Sequence, residues 1–201
     1  MKQIINNFNT NFQRVEELGG LHLAFGSLTT KAVDVSDLLR AQIVLAVSAL
    51  DYFVHELTVA GMLQIYDGIR QPTDSFERFK VPLVALIGTR AMQLDRINFE
   101  NSIRERHGFL SFQQPDKIAE AIRLFSTIEL WNAVALKIGM SSKDIKEHLR
   151  LIIDRRNKIA HEADIDPTYP GGSRWPINVS DVRQVLDFIK KICIAINDVV
   201  V

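Results

Sequence analysis

Cysteine is almost missing from this chain: Cys193 is the single one among 201 residues. One thiol cannot build an intramolecular disulfide framework, and it suits a reducing compartment. Its neighbours Ile192, Ile194, Ala195 and Ile196 are apolar, a setting that raises a thiol pKa and disfavours a nucleophile. No sign of charge is in excess either, with 24 Lys plus Arg against 24 Asp plus Glu. Proteins that grip long nucleic acid non-specifically carry a broad basic field. Any nucleic-acid contact here must therefore be local, made by a few residues in a cleft. Zinc-binding spacings are absent: His22, His55, His107, His148 and His161 form no HExxH, and there is no CxxC. His148 and His161 would stand ~20 Å apart along one helix, too far to share a metal. Neither GxxxxGK[ST] nor GxGxxG occurs, so the classical nucleotide-binding folds are not supported. No metal and no cofactor is expected. The N-terminal stretch lacks the apolar core of a signal peptide, and no charge-free run of about 18 apolar residues is seen. The expectation is a soluble cytoplasmic protein with no membrane partner.

What is present is an ordinary globular composition, 47% hydrophobic and 24% charged, long enough to bury a proper core. Hydrophobic periodicity predicts five or six helices and no alternating strand. The first covers about residues 2–18 and stops at Gly19-Gly20. The second opens at Ser36 as N-cap, with Asp37 in its first turn, and runs to about Tyr66. "VPLVALIGTRAMQ" reads as helical, and "NFENSIRERHGFL" as a short helix closed by Gly108. "DKIAEAIRLFSTIELWNAVALKIG" predicts one helix from Asp116, behind Pro115, to Gly139. The next is capped by Ser141 or Ser142. "IDPTYPGGSRWPIN" cannot be helical. The last opens at Ser180 and aligns Val182, Val185, Leu186, Ile189, Ile192, Cys193 and Ile196 on one stripe. The economical architecture is an all-α bundle of four to five long helices, a single domain over residues 1–201. About 67–115 forms a helical and loop insertion between the second and later helices.

Polar residues inside these helices need an account. The second helix is apolar nearly all round, yet Arg40, Ser48, Asp51 and His55 fall on one stripe. Polar groups on a buried helix must find partners; salt bridges from Arg40 and Asp51 to other helices would satisfy them without any functional role. A second anomaly lies in "DRRNKIAHEAD", Asp154 to Asp164. Arg156 interrupts the apolar stripe of Leu149, Ile152, Ile153, Ile159, Ala160 and Ala163. It must snorkel outward, or be paired inside the fold or at an interface. Asp154, Asn157 and His161 share a different face. Five residues leave Arg156 and His161 roughly 140° apart around a straight helix. They converge only through a helix end near His161, or across a two-fold axis that lines one cleft with two arginines and two histidines. A solvated helix end accounts for the same composition, because cations suit the negative end of the helix dipole. "RERHG" at 104–108 is a basic knot that could touch RNA backbone, and a solvated helix end is the simpler reading. Tyr169 and Trp175 could stack on bases or pack on the bundle.

"RNKIAH", with Asn157 directly after Arg156 and His161 closing the spacing, resembles the R-x4-H motif of HEPN domains. "LLRAQIVLAVSALDYFVHEL", "RHGFLSFQQPDKIAEAIRL" and "IIDRRNKIAHEADIDPTYPGGSRWPI" resemble the RiboL-PSP-HEPN branch, over about residues 18–200. The resemblance implies an all-α HEPN domain and a metal-independent endoribonuclease whose site lies at a homodimer interface. It also implies a toxin or effector in bacterial defence or conflict. Under it, Arg156 would hold and neutralise the scissile phosphate. His161, with a reference pKa of ~6.5, would exchange a proton with the 2'-hydroxyl or the leaving 5'-oxygen. The implied products are a 2',3'-cyclic or 3'-phosphate and a 5'-hydroxyl. Asn157 matches the polar position after the arginine. Asp51, His55 and Arg40 are candidates for a supporting wall on grounds of burial, with Asp51 orienting Arg156 or His161. Arg155 and Lys158 are candidate RNA contacts. The implied partners are RNA, a second copy of the chain, and an antitoxin or defence-system protein; DNA is not expected. The alternative is a non-catalytic HEPN module for RNA or nucleotide binding, or for dimerisation.

Overall fold

The computed structural model describes residues 2–30, 32–83, 95–169 and 171–201. Among these residues lie eight helices and no strand: α1 Lys2–Leu28, α2 Ser36–Tyr66, α3 Asp74–Glu77, α4 Arg96–His107, α5 Pro115–Arg123, α6 Leu130–Ile138, α7 Ser142–His161 and α8 Val179–Val200. The helix expected at "VPLVALIGTRAMQ" falls mostly outside the described residues. α2 is the axis of the bundle and packs against α1, α4, α5, α7 and α8. Its buried side chains, among them Leu50, Phe53, Val54, Leu57 and Met62, point to every side, which is what a helix apolar all round requires. From the 67–115 stretch, α4 places Phe99 and Ile103 in the same core. α2 also contains an 18-residue window with the length and hydropathy of a membrane-spanning helix, although every such stretch of α2 includes the charged Asp51. Over half of that window is buried inside the bundle.

Local chemistry sets most helix ends. Ser141 Oγ accepts from Asp144 N at 3.0 Å and opens α7; Asp95 opens α4 by accepting from Asn98 N at 2.8 Å. Gly108 closes α4, and Gly139 closes α6 with a left-handed φ of 73°. Four expectations are corrected. α1 does not stop at Gly19-Gly20 but runs to Leu28. A Cβ at Gly19 would lie 2.9 Å from Gln42 Nε2, and that amide donates to the Val15 carbonyl at 2.9 Å; the glycine makes room for a cross-helix hydrogen bond. The single helix expected over 116–139 is two, α5 and α6. Between them Phe125 is buried, and the released carbonyls find partners: Thr73 Oγ1 donates to Arg123 O at 2.8 Å, and Arg70 Nη1 to Phe125 O at 3.3 Å. Asn178, not Ser180, caps α8, accepting from Asp181 N at 2.9 Å. Ser36 does not cap α2; its hydroxyl accepts from Arg40 Nη1 at 2.6 Å.

The non-helical segment after α7 is a closed loop. Asp166 N donates to Ser173 O at 2.8 Å, and Trp175 N to Asp164 O at 2.9 Å. A lone antiparallel bridge joins Ile165 to Arg174.

Candidate active site at the end of α7

α7 is amphipathic, burying Ile145, Leu149, Ile152 and Ile153 against the bundle. It stays a regular helix through the whole R-x4-H stretch and ends at His161. Arg156 is half-buried, as its place in the apolar stripe demanded. Its Nη1 donates to Asn157 Oδ1 at 2.8 Å, and its buried Nε has no hydrogen-bond partner. Among the described residues no carboxylate pairs with it. His161 is exposed on the last turn, and no hydrogen bond or ion pair joins it to Arg156 within the chain. Asn157 thus braces the guanidinium from the adjacent position.

Arg155 turns the other way. Its Nη2 donates to Asp164 Oδ2 at 2.9 Å and to the Trp175 and Pro176 carbonyls at 3.4 and 3.3 Å. Arg40 Nε donates to the same Asp164 Oδ2 at 2.6 Å, and Arg40 Nη2 to Trp175 O at 2.8 Å. Burial pulls the Arg155 pKa below the usual guanidinium value, the Asp164 charge opposes that, and Arg40 adds to it. Lys158 Nζ sits 5.1 Å from the Trp175 ring centroid, a cation–π contact. Arg155 and Lys158, expected to touch RNA, are both held against the bundle's own loop. Trp175 is half-buried beneath that lysine, while Tyr169 is exposed.

Within the chain the hydrogen bonds of Asp51 go to neither Arg156 nor His161. Its carboxylate accepts from Phe112 N at 2.6 Å and Gln113 Nε2 at 2.9 Å, pinning the α4–α5 connection to α2. His55 Nε2 stands 3.6 Å from Asp51, and its ring packs 4.4 Å from that of Phe112. This pair therefore serves packing between α2 and the α4–α5 connection. In "RERHG" only His107 is buried, and the other four residues are exposed. Arg104 binds Glu56 and Glu100, Arg106 covers the Phe79 ring, and His107 is buried.

Beside the motif runs a groove of about 550 Å³. Ala41, Val44 and Leu45 of α2 face Ile159, Ala160 and Ala163 across it, with Asp37, Arg40, Asp164 and Arg174 at its charged edge. Arg174 reaches across to Asp34 and Asp37. Asp164 and Arg174 were missed as site-forming residues. Arg40 lies 124 residues from Asp164, and Asp34 and Asp37 lie 140 and 137 from Arg174, so no local spacing signals these pairings.

An all-α bundle carrying Arg-x4-His on the closing turns of a helix is of HEPN type. The chain belongs to the RiboL-PSP-HEPN family, whose model matches residues 9–201. At family level it is a HEPN-type nuclease or RNA-related module. No curated protein and no solved structure matches it.

Proposed function

We propose that the protein is a metal-independent endoribonuclease that cuts RNA as a homodimer. One observation carries the reading. Of the four basic side chains on the closing turns of α7, Arg155 is bound by Asp164 and Lys158 lies on Trp175. Arg156 and His161 are left without an ionic partner among the described residues. A half-buried guanidinium with no carboxylate is costly unless an anion completes it, and a scissile phosphate is such an anion. Arg156 would bind the non-bridging phosphate oxygens, with Asn157 fixing its plane. His161 is exposed, so its imidazole is free to take the 2'-hydroxyl proton or supply one to the departing 5'-oxygen. Attack of the 2'-oxygen on phosphorus then leaves a 2',3'-cyclic phosphate and a 5'-hydroxyl. The unbroken α-helix through His161 supports a composite site: at regular helical spacing the two side chains diverge by roughly 140°, so His161 would meet Arg156 of a second copy. An exposed stripe on α2, Leu45, Ser48 and Tyr52, gives a two-fold partner apolar surface beside the groove. We further propose that it acts in the cytoplasm as a toxin or effector in bacterial conflict, kept in check by an antitoxin or other partner protein.

The test is incubation with total RNA and tRNA in EDTA, with end-group mapping. Wild type should yield 5'-hydroxyl ends. Arg156→Ala and His161→Ala should each cut at least about a hundredfold more slowly, with helicity and oligomeric state unchanged. An intact dimer that leaves a broad RNA panel uncut would falsify the reading. RNA binding without turnover, lost in both variants, would make the protein a binding module instead.

A further inference from the structure

We infer that Asp164 is a positioning residue: clasped between Arg40 of α2 and Arg155 of α7, it fixes the last turn of α7 and so the place of His161. The inference deepens the nuclease reading and rests on it.

Three observations converge. The Asp164 side chain is 1% exposed, with Arg40 Nε at 2.6 Å and Arg155 Nη1 at 2.8 Å from its carboxylate oxygens. Arg40 in turn is committed at every nitrogen, to Ser36, Asp164 and the Trp175 carbonyl. The backbone of Asp164 is pinned on both sides: its N–H donates to Lys158 O at 2.9 Å, and its carbonyl accepts from Trp175 N at 2.9 Å. Finally, Ala163 and Asp164 both hold left-handed conformations, with φ of 51° and 59°. Each costs of order 1–2 kcal/mol for a side chain with a Cβ. A chain free to relax would relieve this by unwinding the turn that carries His161. A buried ion cluster that spans α2, α7 and the loop makes unwinding more costly than the strain.

The geometry therefore separates two roles that the sequence "RR" runs together. Arg156 faces the reacting phosphate, while Arg155 acts through Asp164 on the position of His161. Catalysis by a histidine at a helix end is sensitive to such placement, since a displacement of about 1 Å can cost ~100-fold.

Arg155→Met is the informative variant, because it leaves Arg40 and Asp164 as a balanced pair and spares the buried carboxylate an orphaned state. Backbone amide exchange of 159–164 should speed up at least about tenfold, with that of 145–153 unchanged. RNA cleavage should lose at least about tenfold in kcat with KM within about twofold. Arg155→Lys, which keeps the charge, should recover part of both. Gly61→Ala, a destabilising change against Phe125 about six turns of α2 beyond Arg40, should leave kcat intact well below its Tm. Unchanged exchange in the last turn would overturn the inference. So would faster exchange with kcat preserved, or a kcat loss matched by the Gly61→Ala control. Wild type that cuts no RNA would instead sink the nuclease reading, before any variant is compared, and the exchange measurement alone would still show whether the clasp holds the turn.

Discussion

Burial sets the His107 imidazole among Phe79, Phe112 and His55 and leaves its Nδ1 without a hydrogen-bond partner. Desolvation first, then the charges of His55 and Arg106, push its pKa down to about 4 from 6.5. The folded protein thus resists a proton that the unfolded chain accepts, and the consequence has a definite sign. Above pH 6.5 this group leaves stability unchanged. As pH falls from 6.5 toward 4 the unfolded state gains protons first, and stability drops by about 3 kcal/mol in all. Urea midpoints measured from pH 7 to pH 4.5 should show this fall. His107→Phe, which keeps the ring and removes the titration, should flatten that part of the profile; an equally steep fall in the variant would assign it to other groups. The sequence showed His107 only as part of a basic knot, because the aromatic box that desolvates it comes from three separate segments. The same holds for Arg155. Its neighbour in the chain, Arg156, was singled out by the apolar stripe it interrupts. Nothing local revealed that Arg155 belongs to a buried carboxylate nine residues on and to an arginine on another helix.

Packing between elements leaves its own fingerprint at Gly61, near the C-terminal end of α2. A Cβ there would overlap the Phe125 ring, and Phe125 is the buried plug of the α5–α6 connection. Overpacking of this kind typically costs 1–3 kcal/mol. Gly61→Ala should therefore lower the urea midpoint by about 2 kcal/mol equivalent, and Gly61→Ala combined with Phe125→Leu should recover part of it. A neutral Gly61→Ala would show that α2 and the connection can separate freely. The helices with strong local signals were legible: Ser141 opens α7, Gly108 closes α4, and the prolines and glycines after Asp164 bar a helix there. Errors arose where tertiary partners override local preference. Gly19-Gly20 looks like a stop, yet α1 continues because Gln42 crosses the glycine to reach Val15. The run 116–139 looks continuous, yet it breaks because Thr73 and Arg70, about 50 residues earlier, accept the cost of freeing its carbonyls by bonding them. Such partners have no periodicity to read.

Taken as a whole, the molecule presents one asymmetric half of a site. α7 is α-helical to its end, Arg156 is half-buried, and His161 stands exposed on its last turn. If the working site joins Arg156 of one chain to His161 of another, the two defects should complement. In a mixed dimer of Arg156→Ala and His161→Ala chains, one site lacks both groups and the other retains both. Random exchange of equal amounts gives half mixed dimers with one intact site in two, so activity should return to about a quarter of wild type. Neither variant alone should exceed its own residual rate. If mixing restores nothing while subunit exchange is demonstrated by labelled chains, the pair acts within one chain or all four groups are needed at once. Leu45→Glu on the α2 stripe separates these cases. A within-chain site would survive as an active monomer, whereas a shared site would lose cleavage together with the dimer. Activity measured across a dilution series of wild type should then fall with the same midpoint as dimer mass, linking turnover to assembly.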